Sequence, residues 1–309
     1  MQTNLAFVFP GQGSQSIGML ADFADNETVQ NTFAEASEAL GYDLWKLIQE
    51  GPAEKLNQTQ ITQPALLTSS VAMWRVWQEK GGDTPAVLAG HSLGEYSALV
   101  CSGVLTLSVA VKLVESRGNY MQQAVPTGTG AMFAIIGLAD DAIEQACEQA
   151  AQGQVVSPVN FNSPGQVVIA GNKEAVERAG ELCKEAGAKR ALPLPVSVPS
   201  HCALMSSAAE KLAEDLKAIT FNAPQIPVIN NVDVEAYSDG EKIKDALIRQ
   251  LYSPVRWTET VNKMAEQGVE SLVEAGPGKV LQGLTKRINK SLSCASINTS
   301  GSIDAALEK

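Results

Sequence analysis

The sequence predicts an α/β fold with two parts, a large body built on a mostly parallel sheet and a smaller, inserted ferredoxin-like subdomain. Two observations support this prediction. Short apolar runs that end at glycine alternate with helical stretches along most of the chain, which is typical of a parallel sheet covered by helices on both faces. In the middle of the chain the predicted order changes to β-α-β-β-α-β, the order of a ferredoxin-like unit.

In the large body, each predicted strand is a short apolar run that stops at a glycine-bearing turn. The predicted strands are Leu5–Phe9, Ala86–Ala89 and Ser271–Ala275, and the predicted helices are Thr28–Leu40, Gln63–Lys80, Leu107–Val125 and Ala203–Ala218. Functional groups in such sheets gather where the strands end, so these turns are the first places to look for a site.

The smaller part follows a linker at Val125–Gly130. Its predicted elements are the strand Ala131–Gly137, the helix Asp140–Gln152, the strands Val155–Asn160 and Gln166–Ala170, the helix Lys173–Ala186 and the strand Lys189–Val196. We therefore predict a ferredoxin-like subdomain over residues 128–197, inserted between residues 1–127 and 198–309 of the large body.

Composition argues against several classes of protein. The 23 Lys and Arg residues stand against 34 Asp and Glu, so the formal net charge is −11, which disfavours general nucleic-acid binding. The five cysteines form no CxxC pair and there are only two histidines, so we expect free thiols in a reducing compartment and no metal site. We expect no signal peptide, and no apolar run is long enough to span a bilayer. A cytoplasmic monomer with no membrane and no nucleic-acid partner is expected.

The stretch Gly90-His91-Ser92-Leu93-Gly94 matches G-x-S-x-G, the nucleophile elbow of α/β-hydrolase-like bodies. A predicted strand precedes it and a helix follows, as that motif requires. The glycines permit a turn too sharp for side chains, and the turn lifts the Ser92 hydroxyl to the positive end of the next helix. There the main-chain N–H of Leu93 can donate to a developing oxyanion. The alternative is an ordinary N-capping serine, but the strand-turn-helix context favours a nucleophile.

A nucleophilic serine needs a base, and the chain offers only two imidazoles. Adjacent side chains at an elbow leave the backbone in different directions, so His91 would not reach the Ser92 oxygen at the roughly 3 Å that proton transfer demands. By elimination His201 is the predicted base, and His91 is predicted to be a packing residue. The order differs from that of α/β-hydrolases, whose histidine lies near the end, because 108 residues follow His201. No acid is singled out either, so a neutral carbonyl could orient the imidazole instead.

Six motifs occur together and in order along the chain. They are GQGSQ at 11–15, GHSLGEYSAL at 90–99, Arg117 in VESRG, NFNSPGQVVIAG at 160–171, VPSH at 198–201 and EAGPGKVL at 274–281. The ordered set closely resembles the malonyl-CoA:acyl carrier protein transacylase family of bacterial fatty acid synthesis, and it covers essentially the whole chain. Acyltransferase domains of polyketide synthases share the pattern but are usually embedded in much longer polypeptides, so a chain of 309 residues favours the discrete enzyme.

The resemblance implies an acyltransferase that moves malonyl from malonyl-CoA to the phosphopantetheine thiol of acyl carrier protein by a ping-pong mechanism. It implies Ser92 as the nucleophile that becomes malonylated and His201 as its base. The main-chain N–H groups of Gln12 and Leu93 would form the oxyanion hole. No tightly bound cofactor and no metal are implied, because malonyl-CoA is a substrate and the carrier protein brings the phosphopantetheine.

Three further site residues come from the resemblance. Arg117 would hold the malonyl carboxylate with parallel hydrogen bonds, Gln250 would help to orient the catalytic imidazole, and Asn162 would lie near the acyl group. Without the resemblance, a surface charge paired with Glu115 would be the better interpretation of Arg117, and an exposed helix residue that of Gln250. Polyketide enzymes often carry a different triplet before the histidine, so strict malonyl selectivity stays open.

The resemblance also implies an acidic carrier protein, although this chain is itself at −11. Like net charges slow encounter unless a local basic patch focuses the field. The candidates for such a patch are Lys189, Arg190, Lys279, Lys286, Arg287 and Lys290.

Two other functions stay open at this point. A serine hydrolase such as a thioesterase could use the same pair, Ser92 and His201. A catalytically silent acyl-binding module is disfavoured, because nucleophile, base and both oxyanion donors are present.

Overall fold

The computed structural model describes residues 2–196 and 198–308. The first part of the chain forms two strands and six helices. They are β1 (Gln2–Phe9), α1 (Glu27–Leu40), α2 (Leu44–Glu50), α3 (Ala53–Leu56), α4 (Thr59–Glu79), β2 (Pro85–Gly90), α5 (Gly94–Cys101) and α6 (Leu107–Gln123). Helix α4 begins at Thr59 rather than at the predicted Gln63. Almost every residue of α4 is buried, and we attribute its extension to this packing, which outweighs the hydrogen bond that Pro64 cannot donate.

The middle of the chain forms a separate antiparallel sheet. Its elements are β3 (Gly130–Ile136), α7 (Asp140–Ala151), β4 (Val156–Ser163), β5 (Gln166–Asn172), α8 (Lys173–Glu185) and β6 (Arg190–Pro193). The strand order β4-β5-β3-β6 is that of the predicted β-α-β-β-α-β unit. Strand β4 runs three residues past its predicted end at Asn160, because the chain reverses only at Pro164-Gly165. The predicted limits at Met1, Ser197 and Lys309 lie outside the described residues.

The last part of the chain returns to the large body. Its elements are α9 (Ser206–Lys217), β7 (Val228–Ile229), α10 (Gly240–Gln250), α11 (Trp257–Glu266), β8 (Ser271–Ala275), α12 (Val280–Ile288), β9 (Ser293–Ile297) and α13 (Ser300–Leu307). The predicted helix Ala203–Ala218 is a short 3-10 turn, Ala203–Met205, followed by α9. Strands β7 and β9 were not predicted, because one has two residues and the other is a partly exposed edge strand.

The large sheet has five strands in the order β7-β2-β1-β8-β9, and all neighbours pair in parallel. This confirms the predicted α/β class, with a parallel body and a small antiparallel sheet. At the carboxyl edge, Phe9 of β1 is paired with Gly90 of β2, and the His91 N–H donates to the Phe9 carbonyl over 3.0 Å. The two glycine-bearing turns after these strands therefore lie side by side.

Helices cover both faces of this sheet. Alternate residues of β1 enter different cores: Phe7 and Phe9 pack into the larger cluster, whereas Ala6 and Val8 pack into the smaller one on the opposite face. The Phe7 ring meets Trp74 of α4 edge-on, with ring centroids 5.0 Å apart. In the described part of the chain, no helix combines the length and the apolarity that crossing a membrane requires.

Candidate active site

The nucleophile elbow has the sharp backbone that its glycines predict. Ser92 has a φ of 51°, in the left-handed region that non-glycine residues rarely adopt. A Cβ on Gly90 would lie 1.9 Å from the carbonyl carbon of Gly94, and a Cβ on Gly94 would lie 2.1 Å from the Phe9 oxygen. Since these neighbours are backbone atoms, neither position can hold a side chain without a shift of the sheet or the helix.

A distant asparagine fastens the elbow. The Ser92 N–H donates to Oδ1 of Asn231 over 2.7 Å, and Nδ2 of Asn231 donates to the Gly90 carbonyl over 2.7 Å. Asn231 follows β7 and is fully buried. One side chain therefore satisfies main-chain groups on both sides of the turn, which helps to hold Ser92 in its strained conformation.

Ser92 and His201 lie in direct contact, as the sequence predicts. The Ser92 hydroxyl is 2.8 Å from Nε2 of His201, and Nδ1 of His201 is 2.7 Å from the main-chain carbonyl of Gln250. A carbonyl oxygen only accepts, so Nδ1 carries the proton and Nε2 is left to accept the serine proton. No carboxylate among the described residues bonds the imidazole, and the expected neutral carbonyl orients it. Gln250 therefore orients His201 through its main chain.

His201 is uncharged at neutral pH. Burial lowers its pKa to about 3, and the positive charge of Arg117 and the nearby His91 ring lower it as well, while the bond to Gln250 opposes them. The side chain is only 3% exposed. The imidazole thus stands in the form that can accept a proton.

The second histidine packs and does not contact the serine hydroxyl. His91 bonds Asn162 Oδ1 through Nε2 over 2.8 Å, and its ring lies against Trp257 with centroids 5.6 Å apart. His91 therefore packs against Trp257, as predicted, and also lines the cavity with Ser92. Asn162 is consequently turned toward His91, and Asn160, two residues earlier on the same strand, lines the cavity above Ser92.

Arg117 is buried beside the nucleophile, so the alternative of a surface charge paired with Glu115 is wrong. It is 1% exposed, and its Nη2 lies 3.4 Å from the Ser92 hydroxyl. Nη1 donates to Oε1 of Gln63 over 2.8 Å and Nη2 to Oε1 of Gln250 over 2.9 Å, which also excludes an exposed Gln250. Within residues 2–196 and 198–308 the guanidinium makes no ion pair, and its Nε has no partner.

These groups line a cavity of about 120 Å³. Its walls include Gln12, Ser92, Leu93, Arg117 and His201. Of the hydrogen bonds between described residues, none uses the main-chain N–H of Gln12 or of Leu93. The Leu93 N–H stands at the start of α5, where the helix dipole adds positive potential. Two free donors, a nucleophile, a base and a cation therefore meet in one small space.

Comparison with known proteins assigns this arrangement. The profile of the acyl transferase domain matches residues 6–303. The chain belongs to the acyl transferase domain family. It is 68% identical over 307 residues to the malonyl CoA-acyl carrier protein transacylase of Escherichia coli strain K12, covering 99% of each chain, and 46% identical over 308 residues to that of Bacillus subtilis strain 168, covering 99% of this chain and 97% of the relative. The resemblance found in the sequence motifs is thereby confirmed.

Solved structures agree with this assignment to the acyl transferases. An acyl carrier protein S-malonyltransferase from Vibrio cholerae O1 biovar eltor superposes with a TM-score of 0.97 at 71% identity, covering 98% of this chain and 99% of that one. A malonyl-transacylase solved in complex with a type II polyketide acyl-carrier protein superposes with a TM-score of 0.98 at 65% identity, covering 99% of both chains.

Sequence reasoning missed several polar groups around this acyl transferase site. Gln63 and Asn231 contact site residues, and Glu95, on the first turn of α5, is buried beside Gln250. The only signal for Glu95 was its place three residues after the nucleophile. No group of three or more His, Cys, Asp or Glu side chains in the described ranges could hold a metal ion.

Proposed function

We propose that this chain transfers the malonyl group of malonyl-CoA to acyl carrier protein and so supplies malonyl-acyl carrier protein for fatty acid biosynthesis. The observation that carries the proposal is Arg117, a buried cation with no ion-pair partner among the described residues that stands 3.4 Å from the nucleophile. A buried cation calls for an anionic partner, and a malonyl group brings one on the acyl chain that Ser92 would receive. The names of the relatives support the same substrate.

In the first half-reaction, Nε2 of His201 takes the Ser92 proton while the serine oxygen attacks the thioester carbonyl carbon. The N–H groups of Gln12 and Leu93 stabilise the tetrahedral oxyanion. The carbon–sulfur bond then breaks, and the imidazolium gives its proton to the departing CoA sulfur. Malonyl-Ser92 remains, with its carboxylate on Arg117.

The second half-reaction uses the same groups in the reverse sense. The phosphopantetheine thiol of acyl carrier protein gives its proton to His201, and its sulfur attacks the ester carbon. The ester oxygen leaves as Ser92 and regains the proton. No tightly bound cofactor and no metal enters either half-reaction. In this proposal Asn162 acts indirectly, through His91, and the Gln250 carbonyl keeps Nδ1 of His201 protonated.

Intact mass spectrometry with malonyl-CoA and no carrier protein tests the proposal. We expect a malonyl adduct that accumulates on the wild-type chain and is absent from Ser92→Ala. The alternative, a thioesterase that uses the same pair, predicts rapid malonate release without an accumulating adduct, and that result would reject the transferase.

We further propose that acyl carrier protein docks on the basic patch formed by Lys189, Arg190, Lys279, Lys286, Arg287 and Lys290. All six side chains are exposed, and none forms an ion pair with a described residue. Nη1 of Arg287 donates to Oε1 of Gln166 over 2.6 Å, and Ile136 of β3 pairs with both Gln166 and Arg190. This row of contacts supports a single patch that spans α12 and the small sheet.

Charge reversal tests the docking surface. The double variant Lys286→Glu, Arg287→Glu should raise KM for carrier protein at low salt and leave hydrolysis of CoA thioesters unchanged. Lys55 and Lys112 lie outside the patch, are exposed and form no ion pair with a described residue, so their reversal is the matched control. An unchanged KM in the patch variant would remove this surface from the proposal.

We also propose a cytoplasmic monomer in which residues 128–197 form one subdomain and residues 1–127 with 198–309 form the other. The two separate sheets support the division. Light scattering of the purified chain measures its mass, and a dimer mass would contradict the monomer.

A further inference from the structure

Glu95 is a buried carboxylate that the mechanism above leaves unused. It lies on α5, three residues after the nucleophile, and is 1% exposed. Its Oε2 accepts hydrogen bonds from the Asn231 N–H over 3.0 Å and from Nε2 of Gln250 over 2.8 Å. Glu95 forms no ion pair within the described ranges, so the groups that contact its carboxylate directly are two uncharged donors.

The Gln250 amide connects this carboxylate to Arg117. Nε2 of Gln250 donates to Glu95, and Oε1 of the same amide accepts from Nη2 of Arg117 over 2.9 Å. All three side chains are at most 1% exposed. One buried anion and one buried cation therefore stand two hydrogen bonds apart, on opposite ends of a single amide.

Among the described residues, the other titratable groups around Glu95 do not provide a second cation. Tyr96 is the next residue on α5, and Asp233, after β7, is already held by Nη1 and Nη2 of Arg249 over 2.9 and 2.7 Å. His201, which bonds the Gln250 main chain, is uncharged. Arg117 is thus the cation that balances Glu95.

We propose that Glu95 is a positioning residue that tunes malonyl selectivity, because its carboxylate balances Arg117 in the free enzyme and takes up a proton when the malonyl carboxylate binds there. This inference rests on the proposed role of Arg117. A single buried cation cannot balance two buried carboxylates, so arrival of the second drives protonation of the first. Where Glu95 is ionised in the free enzyme, the site therefore keeps the same net charge before and after it is loaded.

The titration of Glu95 fits this proton uptake. Burial raises its pKa to about 7, against the lowering effect of the Asn231 and Gln250 hydrogen bonds and of the Arg117 charge, while Asp233 raises it. A malonyl carboxylate on Arg117 adds a like charge and shares the cation, so the pKa of Glu95 rises further in the loaded enzyme. Below pH 7 the proton is already present. Above pH 7 loading must bind one, so malonyl loading weakens as pH rises.

The test measures two equilibria on the wild-type chain between pH 6.5 and 9. Intact mass spectrometry gives the equilibrium constant of Ser92 acylation by malonyl-CoA and by acetyl-CoA, each measured with free CoA present so that the reaction reaches equilibrium. Ionisation of the CoA thiol is common to both and cancels in the malonyl-to-acetyl ratio. Titration of His201 lies below this range.

We expect the ratio to stay constant near pH 6.5 and then to fall, by about tenfold for each unit by which loading raises the pKa of Glu95. Glu95→Gln mimics the protonated acid, so its ratio should keep the low-pH value at every pH. Glu274→Gln is the matched control: it removes another fully buried carboxylate, one that accepts the Leu281 and Gln282 N–H groups, and should keep the wild-type pH dependence.

The outcomes separate this inference from the proposed function. A wild-type ratio that does not change with pH overturns the role of Glu95, whether or not Glu95→Gln folds. A pH-dependent ratio that persists in a folded Glu95→Gln also overturns it. If Arg117→Ala keeps the malonyl preference, the proposed role of Arg117 fails, and the inference fails with it.

Discussion

Replacing Arg117 by Gln should change the pH profile of a substrate that Arg117 does not bind. Acetyl-CoA has no carboxylate, and below pH 7 Glu95 is protonated, so during acetyl transfer in acid the guanidinium stays without an anion beside the base. The wild-type rate constant kcat/KM for acetyl loading should then stay flat well below pH 6.5, because the pKa of His201 is about 3 and the imidazole remains neutral. Removal of the Arg117 cation should raise the pH below which kcat/KM falls, which we call the acidic limb of the profile.

The contacts give the size of this shift. Nη2 of Arg117 is 3.4 Å from the Ser92 hydroxyl, which is 2.8 Å from Nε2 of His201. The cation therefore stands within about 6 Å of the protonation site, and at an effective dielectric constant of about 20 this separation corresponds to about 3 kcal/mol, or about two pKa units. The limb should move from near pH 3 to near pH 5.

Single-turnover acetyl loading, followed by intact mass between pH 3.5 and 8, measures the limb, with circular dichroism to confirm folding at each pH. Arg249→Gln is the matched control, since it removes a cation that pairs with Asp233 and that does not act on His201. Equal limbs in wild type and Arg117→Gln would refute the reasoning, because they would mean that Arg117 does not act on the base through its charge.

Three further outcomes follow from the geometry. Gly90→Ala should lower the free energy of unfolding by about 4 kcal/mol or more, because its Cβ would meet the Gly94 backbone at 1.9 Å. Urea titration measures this, and an unfolding midpoint equal to that of wild type would contradict it. Asn231→Ala should cost about 1–3 kcal/mol for each buried group left unpaired and slow Ser92 acylation, whereas unchanged loading would show that the elbow holds itself. Cys202 should resist iodoacetamide at pH 7.5 in the native chain and react in urea, because burial raises its thiol pKa to about 11; native labelling would disprove that burial.

The sequence predicts the parts of the site that lie in local motifs. Ser92 and its glycines stand in one short pattern whose geometry is fixed by backbone sterics, and His201 follows because the chain has only one other imidazole. The buried polar side chains around the site could not be predicted in this way. Asn231 lies 139 residues from Ser92 and Gln250 lies 155 residues from Glu95, and nothing local marks these side chains as buried.

The acyl side of the cavity shows the same limit at shorter range. Asn160 and Asn162 are two residues apart on β4, so strand periodicity places them on one face and does not choose between them. Register shifts in the β4–β5 pairing on both sides of Phe161 alter the strand locally. Only the structure shows that Asn162 contacts His91 while Asn160 reaches the cavity.

The two hydrogen bonds that Asn231 makes across the elbow have a consequence for the synthesis of the chain. The nucleophile, its glycines and the Arg117 cation all lie in the first 117 residues, yet the turn that holds Ser92 is closed by a side chain that emerges more than a hundred residues later. The imidazole and the carbonyl that orients it also come late, at His201 and Gln250. A nascent chain therefore carries its serine as an ordinary hydroxyl until His201, Asn231 and Gln250 have been made, and reactivity toward thioesters requires all three.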